Sequence, residues 1–463
     1  MPSNEFHDRW GPRRPRLSWL VLGLVLLVLL VGNLTATADS VASPATRKGA
    51  ARLFLIDEDG QTLLPLDPQR LTDLPDAEPV AVEPPPDLEE RGDDRRLWYW
   101  LLSGDGGTLV GVDFAWGQEE WEAEDLTFVV RDGLAGPERG RFHPPALVVT
   151  DATRLSHDGR RAVLRRGWVY DAGGGGSVAL DPQTWYALDT TDGRVLATIT
   201  SVEGGTGPGG EQISWVDPAA RRLYRLVVAP DAPDPGPWPT QLVVDDLESG
   251  QEIGRIDLPE VRAGGGRVGP LVSGSGVPVE SFLYPDVAIS PDGHHLAIAN
   301  GDGTALTLID AERMAVERVI ELPAPRPAET IATPAPLEEI SGSPYESRVA
   351  RALFATDGEA VFVAGYEATV DIGSGRMSCR SLPLRRVDLA TGATAAGPPV
   401  VVWQALAPTA EGIYAVGEVT PGCVSYRDTP FALVRLDATT LAPLARRELR
   451  GNASPAFVAE PGG

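Results

Sequence analysis

Residues 285–323 read PDVAISPDGHHLAIANGDGTALTLIDAERMAVERVIELP, and this stretch decides the fold. It holds four short apolar runs, at 287–290, 296–299, 305–309 and 316–322. Turn-forming residues separate them: Pro291-Asp292-Gly293, Gly301-Asp302-Gly303, and the polar segment 310–313. Short apolar runs separated by tight turns predict a four-stranded antiparallel sheet.

Two kinds of hairpin recur along the rest of the chain. The first kind has an apolar strand on each side of a short turn, at 97–114, 153–167, 213–228, 286–300, 350–366 and 403–419. In the second kind an aspartate closes the strand before the turn, at 185–200, 242–259, 306–323, 385–401 and 433–449, with 126–142 as a further member. One hairpin of each kind makes a four-stranded blade, which gives six blades. The hairpin at 52–66 and a strand from 456–459 would complete a seventh blade shared by the two ends.

The predicted fold is therefore an all-β, seven-bladed β-propeller. A β-sandwich or two stacked all-β domains are the alternatives, and the common internal order of the repeats favours the propeller. The chain resembles WD-repeat-like and YVTN-type propellers over about residues 97–450, most closely at 286–300 with its Ser290-Pro291-Asp292-Gly293 turn. No Gly-His…Trp-Asp pair recurs in register. The resemblance thus implies a fold and no particular function.

The N-terminal residues predict export to the membrane. Residues 1–16 carry four arginines, residues 17–34 are mostly leucine and valine, and 35–50 form a polar linker. An uncleaved single-pass anchor is expected, with the N-terminus inside the cell and the propeller domain, 51–463, outside. A cleaved signal peptide is the alternative, since Ala36-Thr37-Ala38 fits a signal-peptidase site. Within the domain, the Pro- and acid-rich segment 67–95 is predicted to be a loop.

The formal charge of −25 limits the partners. Nucleic acid and anionic lipid head groups both need a basic surface, so neither is expected to bind the propeller. A well-solvated surface explains the acidity.

The long insertions are all expected on one face of the disc. They fall between the second and third strands of a blade or between consecutive blades, and these connections share one face. Loops on a rigid scaffold often bind partners, although unconstrained drift also lengthens loops. The two cysteines, Cys379 and Cys423, lie in such connections of neighbouring blades, and a structural disulfide is expected between them.

Three tryptophans in these connections are candidate ligand-binding residues. Trp116 and Trp121 flank the acidic segment Gly117-Gln118-Glu119-Glu120, and Trp238 lies in a Pro-rich segment. An exposed aromatic platform for a sugar or peptide is one interpretation, and packing between blades is the other.

No catalytic, cofactor-binding or metal-binding residue is predicted. The sequence has no His-x-His, His-Glu-x-x-His, Cys-x-x-Cys or Gly-x-Ser-x-Gly motif. The Asp-Gly pairs, among them Gly301-Asp302-Gly303, lack the full set of carboxylates for a calcium loop and are expected to serve tight turns.

The expected function is binding or scaffolding of a protein, peptide or glycan outside the membrane through the long-loop face. The alternative is a propeller enzyme with its site at the central channel, such as a lactonase-like hydrolase, a lyase or a metal-dependent oxidoreductase. A purely structural part of the cell envelope is a third possibility.

Overall fold

The computed structural model describes part of the chain. The described residues are 52–56, 62–74, 79–81, 96–103, 105–115, 126–133, 136–143, 148–166, 168–171, 176–179, 182–206, 212–230, 236–272, 278–323, 344–371, 376–397, 404–409, 412–418, 431–449 and 454–458. They form strands and turns. None of them belongs to a helix long and apolar enough to cross a bilayer. The predicted membrane segment, 17–34, lies outside the described residues.

The strands follow one another along the chain as β1 to β31. The first are β1 (Arg52–Ile56), β2 (Thr62–Leu66), β3 (Val80–Ala81), β4 (Arg96–Leu102), β5 (Thr108–Ala115), β6 (Leu126–Asp132), β7 (Glu138–Phe142), β8 (Val148–Leu155), β9 (Arg161–Arg166), β10 (Trp168–Asp171), β11 (Gly176–Ala179), β12 (Gln183–Asp189) and β13 (Val195–Ser201). Next come β14 (Ile213–Val216), β15 (Arg222–Val228), β16 (Trp238–Asp246), β17 (Gln251–Val272), β18 (Pro278–Tyr284), β19 (Asp286–Ile289), β20 (His295–Ala299), β21 (Ala305–Asp310) and β22 (Ala315–Glu321). The last are β23 (Pro344–Phe354), β24 (Ala360–Asp371), β25 (Arg376–Asp388), β26 (Thr394–Ala396), β27 (Gln404–Thr409), β28 (Gly412–Glu418), β29 (Phe431–Leu436), β30 (Pro443–Leu449) and β31 (Ser454–Val458).

These strands form an all-β propeller arrangement. Five sheets have four strands, in the orders β3-β2-β1-β31, β4-β5-β6-β7, β13-β12-β9-β8, β19-β20-β21-β22 and β27-β28-β29-β30. One nine-stranded sheet runs β14-β15-β16-β17-β18-β23-β24-β25-β26, and β10 and β11 pair as a separate hairpin. The four apolar runs of residues 285–323 form the β19–β22 sheet, with all three turns where the sequence predicts them. The short strand β3 lies within the segment 67–95, for which the sequence predicts a loop, and it supplies the edge of the β3-β2-β1-β31 sheet.

A Ser-x-Asp-Gly turn joins the first two strands of several sheets. In the β19–β20 turn, the Ser290 hydroxyl donates to Asp292 Oδ1 at 2.5 Å and accepts from the His295 amide at 2.8 Å. Ser103 and Ser156 make the same pair of contacts in the β4–β5 and β8–β9 turns. The side chains thereby satisfy backbone groups that a tight turn leaves without strand partners.

An aspartate opens the turn between the third and fourth strands. Its Oδ1 accepts one or both of the amides two and three residues later, as in Asp67, Asp189, Asp246, Asp310, Asp388 and Asp437. The backbone amide of Arg313 thus holds the pKa of Asp310 below its ordinary value, and the amide of Thr440 does the same for the pKa of Asp437. The strand-closing aspartates that mark the second kind of hairpin are therefore turn-capping residues.

The core lies between consecutive sheets. Val287 and Ile289 of β19 pack with Leu242 and Val244 of the preceding sheet, while Ala288, between them, faces the opposite cluster. This alternation is what a strand buried on both faces requires. Each large apolar side chain buried in this way contributes about 1.5–3 kcal/mol relative to exposure.

Strands from the two ends of the described chain pair with each other. β31 runs antiparallel to β1, from Arg52 opposite Val458 to Ile56 opposite Ser454. Across the next interface, the Tyr414 hydroxyl of β28 donates to the Pro68 carbonyl at 2.9 Å. The pairing predicted between these two ends is confirmed, so the sheet they share exposes fewer open strand edges.

Candidate functional site: the insertion face

Insertions that the sequence suggests to be loops are strands in the structure. The connection between β9 and β12 contains the β10–β11 hairpin, and β17 continues well past its blade before turning back as β18. β23, β24 and β25 likewise extend beyond the part that pairs with β26. All these extensions lie at the strand ends that the sequence assigns to the long-loop face, which is called the insertion face from here on.

The extensions of β17, β23, β24 and β25 join with β18 into one accessory sheet, and the β10–β11 hairpin stays separate. The accessory sheet consists of 264–272 of β17, the whole of β18, and residues 344–349, 366–371 and 376–382 of β23, β24 and β25. Its only parallel pairing among these strands is β18 with β23, from Glu280 opposite Tyr345 to Tyr284 opposite Val349. Because β18 and β23 come from either side of the β19–β22 sheet in the chain, the accessory sheet bridges over that sheet.

The bridged sheet has a short turn because there is no room for a longer one. The Gly301 backbone packs so tightly under the accessory sheet that a Cβ atom there would lie 2.6 Å from the Tyr284 amide nitrogen and 3.1 Å from the Arg348 carbonyl oxygen. In the same turn, the Gly303 carbonyl accepts a hydrogen bond from buried Arg385 of β25 at 3.2 Å. The β19–β22 sheet is thus covered by the insertions of its neighbours.

A bulge directs β17 from its blade into the accessory sheet. Thr240 pairs with Leu258, whereas the preceding residue of β16, Pro239, pairs with Arg262, so residues 259–261 bulge out of the ladder. Two side chains hold the bulge: the Thr240 hydroxyl donates to the Val261 carbonyl at 3.0 Å, and Asn300 Nδ2 donates to the Glu260 carbonyl at 3.2 Å. Bulges of this kind re-aim a strand.

The described side chains of the accessory sheet are partly aromatic and partly charged. Phe282 and Tyr284, two residues apart on β18, are half-buried and stack with ring centroids 6.3 Å apart. On the neighbouring strands, Arg348 Nε lies 3.6 Å from Glu367 Oε1. Stacked rings beside a charged pair are suited to contacts with both apolar and polar groups of a ligand.

Trp238 is the one predicted ligand-binding tryptophan that the structure describes. It opens β16, and a Cβ atom at Gly264 would lie 2.7 Å from ring atoms Cε3 and Cζ3. The indole therefore packs directly on the accessory-sheet backbone while remaining half-exposed. Trp116 and Trp121 lie outside the described residues.

The predicted disulfide partners are described only in part. Cys379 lies on β25 opposite Ala368, within the accessory sheet, and only its backbone is described. Cys423 lies outside the described residues. Their pairing stays a prediction.

The carboxylate of Asp286 links three inner strands, β14, β19 and β23. Asp286, the first residue of β19, accepts a hydrogen bond from Trp215 Nε1 of β14 on Oδ1 at 3.1 Å. Its Oδ2 accepts from the Ala352 amide of β23 at 2.9 Å. Both oxygens of this carboxylate thus hold strands β14, β19 and β23 together.

A buried ion pair lies between the β8–β13 and β14–β17 strands. Arg225 Nε and Nη2 contact the two carboxylate oxygens of Asp245 at 2.6 and 3.2 Å, and both side chains are almost fully buried. Arg225 also donates to Gln212 Oε1 at 2.7 Å and lies over the Trp185 ring at 5.4 Å. With its donors bound in this way, the guanidinium joins two blades and is not available to a ligand.

The hydrogen bonds of Asp286 and the Arg225–Asp245 ion pair were not predicted from the sequence. The sequence does contain a signal of a buried ion pair, because Arg225 and Asp245 both interrupt apolar runs. A charged residue in such a run is rarely buried without a partner. Identifying the partner required the fold. His294 and His295 lie at the short β19–β20 turn, on the face opposite the insertion face: His294 Nδ1 is 3.0 Å from Glu312 and His295 Nδ1 is 3.4 Å from Glu317. Within the described part of the chain, no three or more His, Cys, Asp and Glu side chains form a cluster.

Comparisons with known proteins find similar solved structures but no family. No protein-family model matches the chain, and no curated protein matches its sequence. Among solved structures, the periplasmic gluconolactonase of Pseudomonas aeruginosa is 14% identical, covers 89% of this chain and 99% of its own, and has a TM-score of 0.46. A putative 6-phosphogluconolactonase from Bacteroides uniformis is 12% identical, with 88% and 99% coverage and a TM-score of 0.43. The β-propeller domain of Cps50 (Swd1) from Myceliophteria thermophila is 12% identical, with 77% and 88% coverage and a TM-score of 0.39. At these identities and TM-scores, the similarity does not indicate what this chain binds or catalyses.

Proposed function

We propose that this protein is a seven-bladed propeller held outside the membrane by its N-terminal segment, and that its insertion face binds a protein, peptide or glycan. The blade count takes the nine-stranded sheet as two blades, β14–β17 and β23–β26, joined through β18. The single observation that supports binding is the accessory sheet. Insertions from several separate connections converge there into one hydrogen-bonded surface.

Drift in unconstrained loops does not account for this convergence. Independent loops of variable length have no reason to hydrogen-bond with one another, whereas here β17, β18, β23, β24 and β25 continue as paired strands. A surface of paired strands is also pre-organised, so little conformational entropy is lost when a partner binds. The half-buried Phe282–Tyr284 pair supplies apolar contact area on this surface.

The alternative function is an enzyme with its site at the central channel. Such a site needs acidic or histidine side chains that converge on the axis. Of the inner-strand side chains that the structure describes, Asp286 is the one carboxylate, and each of its oxygens already accepts a hydrogen bond. The observed contacts of Asp286 therefore support a structural role.

Site-specific photo-crosslinking in the full-length protein tests the binding role. A photoreactive amino acid replaces Tyr284 in the accessory sheet or, as the matched control, Arg160 in an exposed turn of the opposite face. Discrete adducts from position 284 and none from position 160 are expected in intact cells. Equal adducts from both positions, or none from position 284, would refute binding through the insertion face. Elemental analysis of the same sample separates this outcome from a metal-dependent enzyme.

Export and the disulfide are part of the same proposal. A domain outside the membrane permits Cys379 and Cys423 to oxidise, and a bridge between them would fasten the accessory sheet to the next blade. Protease treatment of spheroplasts should digest the propeller, and non-reducing peptide mapping should recover the two cysteines linked. A protected domain, or two free thiols, would contradict this part of the proposal.

A further inference from the structure

Three buried oxygen atoms without hydrogen-bond partners belong to the β17 bulge, to the end of β20 and to β21. They are Glu260 Oε1, Asn300 Oδ1 and Thr307 Oγ1, and none of the three makes a hydrogen bond in the structure. Asn300 is 8% exposed and Thr307 is 0% exposed. A buried polar atom is ordinarily hydrogen-bonded, so three such atoms without a partner call for an occupant.

The fold brings the three residues to the same junction. Asn300 Nδ2 donates to the Glu260 carbonyl, which places the two residues side by side and leaves Asn300 Oδ1 as the free end of the amide. Thr307 pairs with Ile298, which packs with the core toward β14–β17, and Thr307 therefore points to that side. Ile298 lies two residues before Asn300, so Thr307 and Asn300 are diagonal cross-strand neighbours, with backbones about 7 Å apart.

The chemistry of these atoms selects a hard cation. All three are oxygen atoms: one from a carboxylate, one from an amide and one from a hydroxyl. Oxygen donors of this kind suit calcium-like ions, which accept irregular geometry and complete their shell with water. Buried carboxylate oxygens are ordinarily paired with a cation, and Glu260 Oε1 accepts no hydrogen bond from an arginine or histidine. With metal–oxygen distances of about 2.4 Å, one ion reaches ligands up to about 5 Å apart.

The neighbouring Asp-Gly turn is not the ion's ligand loop. Asp302 Oδ1 accepts from the Thr304 amide at 3.0 Å and from its hydroxyl at 2.6 Å. The turn chemistry expected for Gly301-Asp302-Gly303 is therefore present, and the candidate ligands come from the two strands and the bulge around it.

We propose that Glu260, Asn300 and Thr307 bind a calcium-class cation between the β17 bulge and the β19–β22 sheet. The ion would fix the bulge that sends β17 into the accessory sheet, and thereby the position of the insertion face. It would act on the fold whether or not that face binds a partner. A water molecule that donates one hydrogen to Glu260 and one to Asn300 is the competing occupant, and it predicts no dependence on metal ions.

The test uses the full-length protein stripped of metal with a chelator. Thermal unfolding is measured with rising calcium chloride at constant ionic strength, with magnesium and sodium chloride in parallel, and calorimetry gives the stoichiometry. Calcium at about ten times its dissociation constant should raise the unfolding temperature by roughly 2 °C, with one ion bound per chain.

Two variants identify the ligands, and a third serves as the control. Glu260→Gln should abolish the calcium-dependent shift. Thr307→Val should weaken calcium binding several-fold without lowering the unfolding temperature of the metal-free protein, because it removes a hydroxyl that has no partner there. Glu321→Gln, with the same charge change on the exposed strand β22, should respond like the parent protein.

Three results would overturn the proposal. One is the absence of calcium binding and of any calcium-dependent shift, which assigns the junction to water. Another is an undiminished shift in Glu260→Gln, which places any bound ion elsewhere, for example in the acidic segment 57–60. The third is a shift that Thr307→Val leaves unchanged.

Discussion

Replacing Gly159 by alanine should destabilise the propeller far more than the same change at Gly293. The two glycines occupy the same position in Ser-x-Asp-Gly turns and have similar backbone angles, with φ of +65° and +73°. An alanine in this left-handed region costs about 1–2 kcal/mol at either site. The reduced entropy of the unfolded chain offsets about 0.4–1 kcal/mol of that cost. The backbone alone therefore predicts nearly equal effects of about 1 kcal/mol.

The surroundings of the new methyl group separate the two sites. At Gly293 no atom lies within 4 Å of the place that a Cβ atom would occupy, so the backbone cost is the whole effect. At Gly159 the Cβ atom would lie 2.3 Å from Thr108 Cβ and 2.4 Å from Thr108 Oγ1. Thr108 is buried and its amide is held by the Ser103 hydroxyl, so it cannot easily move away. Overpacking of this kind adds about 1–3 kcal/mol, for a total of about 2–4 kcal/mol.

Urea unfolding of the full-length protein, followed by far-ultraviolet circular dichroism and tryptophan fluorescence, measures both changes. Equal slopes of free energy against urea are needed for the midpoints to be compared. Equal destabilisation by Gly159→Ala and Gly293→Ala would refute the reasoning, because it would mean that neighbouring blades do not pack against these turns as described. A stabilising effect at Gly293 would show that its backbone is not left-handed.

Three further predictions concern carboxylates. Asp245→Asn should destabilise the protein by about 3–5 kcal/mol in urea unfolding, because it leaves Arg225 buried without its charge partner; Glu252→Gln, which removes an exposed ion pair, should cost less than about 1 kcal/mol. Asp388→Asn should destabilise the protein at pH 7, and the difference should begin to shrink as the pH falls below the ordinary aspartate pKa of about 3.9. The reason is that hydrogen bonds from the Thr391 hydroxyl and amide lower the pKa of Asp388 in the folded state, so its stabilising contribution is present above the unfolded pKa and is lost as pH falls through the folded pKa; a difference as large at pH 3 as at pH 7 would contradict this. Asp286→Asn should cost about 1–3 kcal/mol and change the tryptophan emission, because an amide can accept only one of the two hydrogen bonds made there; unchanged emission and stability would contradict the tie between inner strands.

The turns and the strand order were predictable because local residues determine them. The serine and aspartate of each short turn are two residues apart, and they bond to amides within five residues. The apolar runs between them alternate toward the cores on both sides, which the sequence shows directly. Even the pairing of β1 with β31 followed from counting strands, since an incomplete first hairpin required a partner.

The accessory sheet was not predictable by the same means. Residues 263–266, Ala-Gly-Gly-Gly, have the composition of a loop, and yet they belong to β17. Glycine suits this strand because the Trp238 ring lies directly against the Gly264 backbone, and no local pattern reveals such a neighbour. The parallel pairing of β18 with β23 joins segments separated by an entire sheet, and its register depends on the bulge at 259–261.

The candidate cation site could not be predicted from the sequence either. Asn300 follows the last apolar residue of a predicted strand and Glu260 opens a predicted long connection, and only the fold shows that they lie together at one junction. The sequence leaves the candidate tryptophans open between an exposed platform and packing, and the described one, Trp238, packs on Gly264 while remaining half-exposed.

The pairing of β1 with β31 also determines when the protein can finish folding. β1 emerges early from the ribosome or the export channel, and its inner neighbour is made only after all the intervening sheets. Until then, the edge of β1 and the apolar face formed by Leu53 and Leu55 have no native partner. The nascent chain is therefore expected to need protection of this edge by a chaperone, and release of that protection should coincide with the arrival of residues 454–458.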